Sequence, residues 1–186
     1  MWYNNIVYSE KLYPCEKINR KQVINLKKIR ILGIDPGYAI VGFGVLDYDG
    51  LKFTPVEYGA VLTEAGTPFP ERLRAIHEDI EFIFEKFCPD CMAVERLYFT
   101  TNQKTAIDVA QARGITVLSA AMRDIPVSEY TPLQVKLSVT GYGKAEKRQV
   151  MEMTRQLLGL AQIPKPDDAA DALAIAICHG HSVRWG

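Results

Sequence analysis

The stretch ILGIDPGYAIVGFGVLDYDG, residues 31–50, reads as two strands joined around an acid. ILGID is a short continuous apolar run, as a buried strand requires, and Pro36-Gly37 marks the turn after it. IVGFGVLDY, residues 40–48, continues extended, and Asp49-Gly50 is a strong hairpin signal. Residues 51–62 supply the third strand of this meander. Asp35 ends the first strand, where the pattern would otherwise be apolar.

Downstream the period changes. Residues 68–87 carry Leu73, Ile76, Ile80, Ile83, Phe84 and Phe87 at helical spacing, with His77 beside that face as a core-edge histidine. CMAVERL, residues 91–97, is a buried strand that ends in charge. Residues 102–123 form a long helix that is apolar around most of its middle, which predicts that one face meets another chain. PVSEY, residues 126–130, is a further strand. Thr131-Pro132 caps the short helix LQVKLSV, and the loop Thr140-Gly141-Tyr142-Gly143 follows. Residues 144–158 form a helix with Val150, Met153, Leu157 and Leu158 inward, and DDAADALAIAI begins the last one. A meander followed by alternating strands and helices predicts an α/β fold with a mixed sheet of about five strands.

Residues 1–28 differ from the rest: polar, dotted with aromatics and basic near their end. They have no apolar core of a secretory signal and read as an extension of uncertain order. No run of about 18 apolar residues predicts a membrane span. The 186 residues suit one domain, and the four cysteines fit no disulfide framework, so a reduced cytoplasmic setting is expected. Cys88-Pro-Asp-Cys91 has no second pair to close a zinc site. The formal charge of zero runs against a nucleic-acid binder, but local clusters temper this. Residues 16–30 hold six basic residues against one acid, and residues 144–155 hold four against two.

Four acids stand where apolar residues are expected. Asp35 and Glu95 end strands, while Asp168 and Asp171 sit three apart on one helical face. Taken singly, Asp35 could bond its turn, Glu95 could pair with Arg96, and Asp168 could cap its helix. Asp171 has no such ordinary account, since apolar residues surround it. Strand ends and a helix start that bring these carboxylates together would make an oxygen cage suited to Mg2+ or Mn2+. Two such ions can bracket a phosphodiester.

GIDPGYAIVGFGVLD, AVERLYF, QARG, QVKLSVTGYGKAEKRQV and DDAADALAIAICH occur in register from about Ile31 to His181. Together they resemble the RuvC family of Holliday junction resolvases. The resemblance implies an RNase H-like fold, a five-stranded mixed sheet with helices on both faces, over residues 30–182 after an extension of 1–29. It implies a homodimer that resolves four-way DNA junctions by paired symmetric nicks in homologous recombination and DNA repair. It also implies a two-metal mechanism with Mg2+, Mn2+ being possible, and work with the RuvA–RuvB branch-migration complex. By position, Asp35, Glu95, Asp168 and Asp171 match the family's metal-binding acids, and Lys136 and Lys147 match lysines that approach the DNA backbone. Lys144 adds charge at a glycine-containing loop where a following helix start offers free N–H groups to phosphate. Tyr98 stands where the family commonly has Phe, and Phe99 follows; either ring could stack on unpaired bases. Arg113 reads as a helix anchor and His179 as a structural residue. Competing readings are an actin-like ATPase, a non-catalytic junction-binding module and a general RNase H-type nuclease.

Overall fold

The computed structural model describes residues 6–8, 28–97 and 103–183. Its strands are β1 (Ile6–Tyr8), β2 (Ile29–Asp35), β3 (Ile40–Tyr48), β4 (Phe53–Leu62), β5 (Cys91–Glu95) and β6 (Val127–Tyr130). Its helices are α1 (Phe69–Phe87), α2 (Gln103–Met122), α3 (Pro132–Thr140), α4 (Lys147–Leu157) and α5 (Asp167–Ser182). The sheet order is β1-β4-β3-β2-β5-β6. β2, β3 and β4 form the expected antiparallel meander, and β5 and β6 add in parallel beside β2.

The five expected strands are all present. A sixth, β1, comes from the extension and pairs antiparallel with β4, Val7 opposite Ala60. The outer edge of β4 otherwise offers unpaired backbone groups, and even three residues can satisfy some of them. The hairpin after β3 is closed by Asp49, whose carboxylate accepts from the N–H groups of Leu51 and Lys52. Thr131 caps α3 reciprocally with Gln134, as the Thr-Pro pair predicts.

The sheet separates two cores. On one side Leu32, Ile34, Phe43, Met92 and Val94 pack against Ile76, Ile80 and Ile83 of α1 and Ala112 and Ala120 of α2. On the other, Ile31, Leu46 and Ala93 pack against Leu173, Ile175 and Ile177 of α5, with Val135 of α3 and Val150 of α4. Each of the larger side chains among them, Leu, Ile, Val, Met or Phe, contributes about 1.5–3 kcal/mol. His77 lies at the junction of α1 and α2, its Nδ1 2.8 Å from Ser119 Oγ. His179 is buried, its Nδ1 2.9 Å from the Tyr130 hydroxyl.

Two strand glycines let α5 lie directly on the sheet. A Cβ at Gly33 would overlap the carbonyl oxygen of Ala172, and one at Gly42 would overlap that of Asp168. Gly42 is the residue paired with Asp35. The bare backbone there sets the first turn of α5 against the end of β2.

Candidate active site

Alternation along β2 puts Ile31, Gly33 and Asp35 on the face that α5 covers, and Leu32 and Ile34 on the other. The same alternation along β5 puts Ala93 and Glu95 on the α5 face. β2 and β5 are parallel neighbours in register to Ile34 opposite Val94. Asp35 and Glu95 therefore leave adjacent strand ends in the same direction, from backbones about 4.8 Å apart.

α5 brings the third acid. Its N-cap is Pro166, with no side-chain cap bond, so neither Asp167 nor Asp168 serves as the capping residue. Asp167 pairs with Lys165 at 2.7 Å, which leaves Asp168 and Asp171 turned toward the sheet end. Asp35, Glu95 and Asp171 line one cleft of about 230 Å³ together with Lys136 and Lys147. Pro132, Val135, Val150 and Ile175 form its apolar wall. Asp168 lies beside this cleft, close enough for its charge to act on Asp35.

The electrostatics are strained. Burial, then the charges of Asp171, Glu95 and Asp168, push the Asp35 carboxyl up to about 8, and only Lys147 opposes them. Burial and Asp171 raise Glu95 as well. Asp171 is raised by burial despite its contact with Lys147. The Lys147 ammonium lies 2.7 Å from Asp171 Oδ2, and that contact holds its proton more firmly than usual. Among the described residues, no three acids, histidines or cysteines already converge at ligation distance.

The lysines differ in placement. Lys147 is the first residue of α4, behind Glu146, which forms a capping box with Gln149. Lys136 projects from α3 into the same cleft. Lys144 is exposed on the loop before α4 and is not among the cleft-lining residues. Tyr98 and Phe99 lie outside the described residues. The cleft wall was not foreseen from sequence, because Pro132, Val135, Val150 and Ile175 come together only when α3, α4 and α5 pack.

The chain as a whole is similar to known proteins. A family model described as crossover junction endodeoxyribonuclease RuvC matches residues 31–179. The RuvC of Brevibacillus brevis is 57% identical over 151 residues, covering 81% of this chain and 91% of its own length. That of Desulfitobacterium hafniense is 56% identical over 154 residues, covering 83% and 93%. Among solved structures, T. thermophilus RuvC in complex with Holliday junction substrate superposes with a TM-score of 0.78 at 36% identity, covering 81% of this chain and 92% of that one. The yeast mitochondrial Holliday junction resolvase, at 17% identity and a TM-score of 0.61 over 86% of this chain and 80% of its own, shares the fold. The fold is thus RNase H-like, and the chain belongs to the RuvC family of crossover junction endodeoxyribonucleases.

Proposed function

We propose that the protein is a divalent-cation-dependent endonuclease that resolves four-way DNA junctions by paired symmetric nicks in homologous recombination and DNA repair. The observation that carries this reading is the shared cleft of Asp35, Glu95 and Asp171, with Lys136 and Lys147 on its rim. Residues 30–182 form the nuclease domain in this reading.

The donor set fits a hard cation. Every candidate ligand is a carboxylate, and the Asp35 carboxyl is raised to about 8 by burial first and then by the negative charge of Asp171, Glu95 and Asp168. Asp35, Glu95, Asp168 and Asp171 would hold Mg2+ or Mn2+, two ions per site. Bound there, the cations supply Lewis-acid polarisation of phosphate oxygens and a water nucleophile at neutral pH.

The chain's own groups do the rest. The apolar wall of Val135, Val150 and Ile175 limits solvent on one side of the cleft. Lys136 and Lys147 meet a phosphodiester that enters it and offset charge growing on the phosphate. Lys144 and the free N–H groups at the start of α4 bind an adjoining phosphate. Tyr98 or Phe99, just beyond Glu95 in sequence, stacks on unpaired bases.

Resolution requires two cuts, so we assign the active form as a homodimer. Ile107, Leu118 and Met122 of α2 are more than half exposed and share one face, which supports a second protomer there. A RuvA–RuvB complex would deliver the junction. Work in the cytoplasm agrees with this reading, and no helix among the described residues is long and apolar enough to cross a membrane. A synthetic mobile four-way junction, incubated with and without divalent metal, tests the proposal. Paired nicks that ligase reseals, seen only with metal, are the expected result; metal-independent binding without nicking would overturn it.

A further inference from the structure

Arg113 projects from the middle of α2, and its guanidinium reaches the sheet end that carries Glu95. Its Nε donates to the Glu95 carbonyl oxygen at 3.3 Å, and its terminal NH2 group pairs with the Glu129 carboxylate. Glu129 sits on β6 opposite Val94, one residue before the pairing of Tyr130 with Glu95. One guanidinium therefore ties α2 to the ends of two neighbouring strands. The ladder between β2 and β5 runs only to Val94. Past that point the Glu95–Arg96 peptide is held on one edge by the Arg96 N–H, which donates to the Tyr130 carbonyl oxygen at 2.8 Å, and on the other by Arg113 at the Glu95 carbonyl.

We propose that Arg113 is a positioning residue for the nuclease: its grip on the Glu95 backbone fixes the direction in which the Glu95 carboxylate enters the cleft. This rests on the reading of Glu95 as a cation ligand. Arg113 is suited to the task because a planar fork can bond a carbonyl and a carboxylate at once. Its side chain is 19% exposed against 46% for Glu129, so the fork is held at the protein surface's inner edge. At 3.6 residues per turn, Ile107, Leu118 and Met122 lie roughly 120–180° around α2 from Arg113. α2 thus connects the surface assigned to a second protomer with the strand end that carries Glu95.

The test measures Mn2+ binding by loss of the free-ion paramagnetic resonance signal, beside nicking of a four-way junction over the same titration. Arg113→Gln should weaken Mn2+ binding about tenfold and raise the Mn2+ needed for half-maximal nicking by a similar factor. Cation-free junction affinity should stay within about twofold. Arg113→Lys should recover part of the Mn2+ affinity, since an ammonium can still donate to the carbonyl. Unchanged Mn2+ affinity in Arg113→Gln would overturn the proposal. Should that variant fold poorly, Glu129→Gln carries the test: a weaker shift in the same direction supports the role, and none overturns it. Glu95→Gln separates the two readings. If it binds Mn2+ and nicks as the natural chain does, the ligand reading fails and the proposal with it. If Glu95→Gln loses both while Arg113→Gln loses neither, only the positioning role fails.

Discussion

The Lys147 ammonium stands 2.7 Å from Asp171 Oδ2, at the cleft that Asp35 and Glu95 also line. A cation on α4 thus partly neutralises an acid on α5 while two strand-end carboxyls beside it remain raised. One lysine cannot compensate several carboxylates, so the cleft retains an appetite for positive charge. That imbalance is the physical reason to expect divalent cations there, and it separates the roles of acids and lysines.

Asp35→Asn and Asp171→Asn each remove a charged oxygen donor and nearly preserve shape. Nicking should fall by about a hundredfold or more, since loss of a direct ligand costs at least as much as loss of its outer-shell support. Junction binding should persist, because removing negative charge does not weaken attraction for phosphate. Gel-shift and cleavage assays on one junction check both halves; nicking at the natural rate in either variant contradicts the metal assignment.

Stability without divalent cations should depend on pH in a stated direction. The Asp35 carboxyl is raised from 3.8 to about 8 in the fold, with burial the leading cause. Between those values the folded state holds a proton that the unfolded state has lost, so stability falls as pH rises. The loss starts above 3.8 and is complete once pH passes about 8. Glu95 and Asp171 are shifted upward too and act with the same sign. Thermal unfolding in chelator should show Tm declining from pH 5 toward pH 8, other titrating groups being matched by an Asp35→Asn control that flattens the decline. Added Mg2+ should raise Tm more at the alkaline end, because binding needs the carboxylate form.

Lys147→Ala removes a positive charge from the cleft and frees Asp171 of its partner. Nicking should slow, and the slope of log affinity against log salt should shrink by about one. Junction-binding isotherms at several salt concentrations read the slope directly. Unchanged activity at raised salt would contradict a phosphate contact by Lys147.

Much of this site is legible in the linear chain because it rests on short-range regularities. Period-two alternation puts Asp35 in step with Ile31, and helical spacing puts Asp168 beside Asp171. The joining of those pieces is less legible. It depends on Gly42, whose missing side chain admits the Asp168 carbonyl, and a strand glycine looks the same in sequence whether or not a helix lies on it. The hold of Arg113 on Glu95 is hidden for another reason, since the acceptor is a backbone carbonyl that every residue has. β1 escaped because three residues carry too little periodicity to mark a strand, and their partner in β4 is more than 50 positions away.

The glycine contact makes its own prediction. Gly42→Ala would drive a methyl into the Asp168 carbonyl, a backbone atom that cannot rotate aside. Overpacking of this kind costs about 1–3 kcal/mol, and the strain is relieved by lifting the start of α5 from β3. Denaturant unfolding should show that loss, and nicking should fall further than junction binding as the α5 acids move from Asp35. Gly114→Ala is the control, since a Cβ there meets nothing within 4 Å. It should leave monomer stability unharmed; nicking is not compared in this control, because Gly114 shares the α2 face assigned to the second protomer.

The outward face of α2 gives the last prediction. Met122 is 72% exposed and Leu118 54%, in a helix whose opposite side is anchored through Ala112 and Ala120 in the core. Apolar side chains grouped on one exposed face mark a contact surface. Leu118→Glu combined with Met122→Glu places charge where a second protomer would bury it, while leaving the monomer core untouched. Light scattering should show a shift from dimer to monomer. Paired nicking should then drop more steeply than single nicking, because two cuts on one junction need two clefts held together. A variant that stays dimeric and still makes paired cuts would move the protomer contact elsewhere on the molecule.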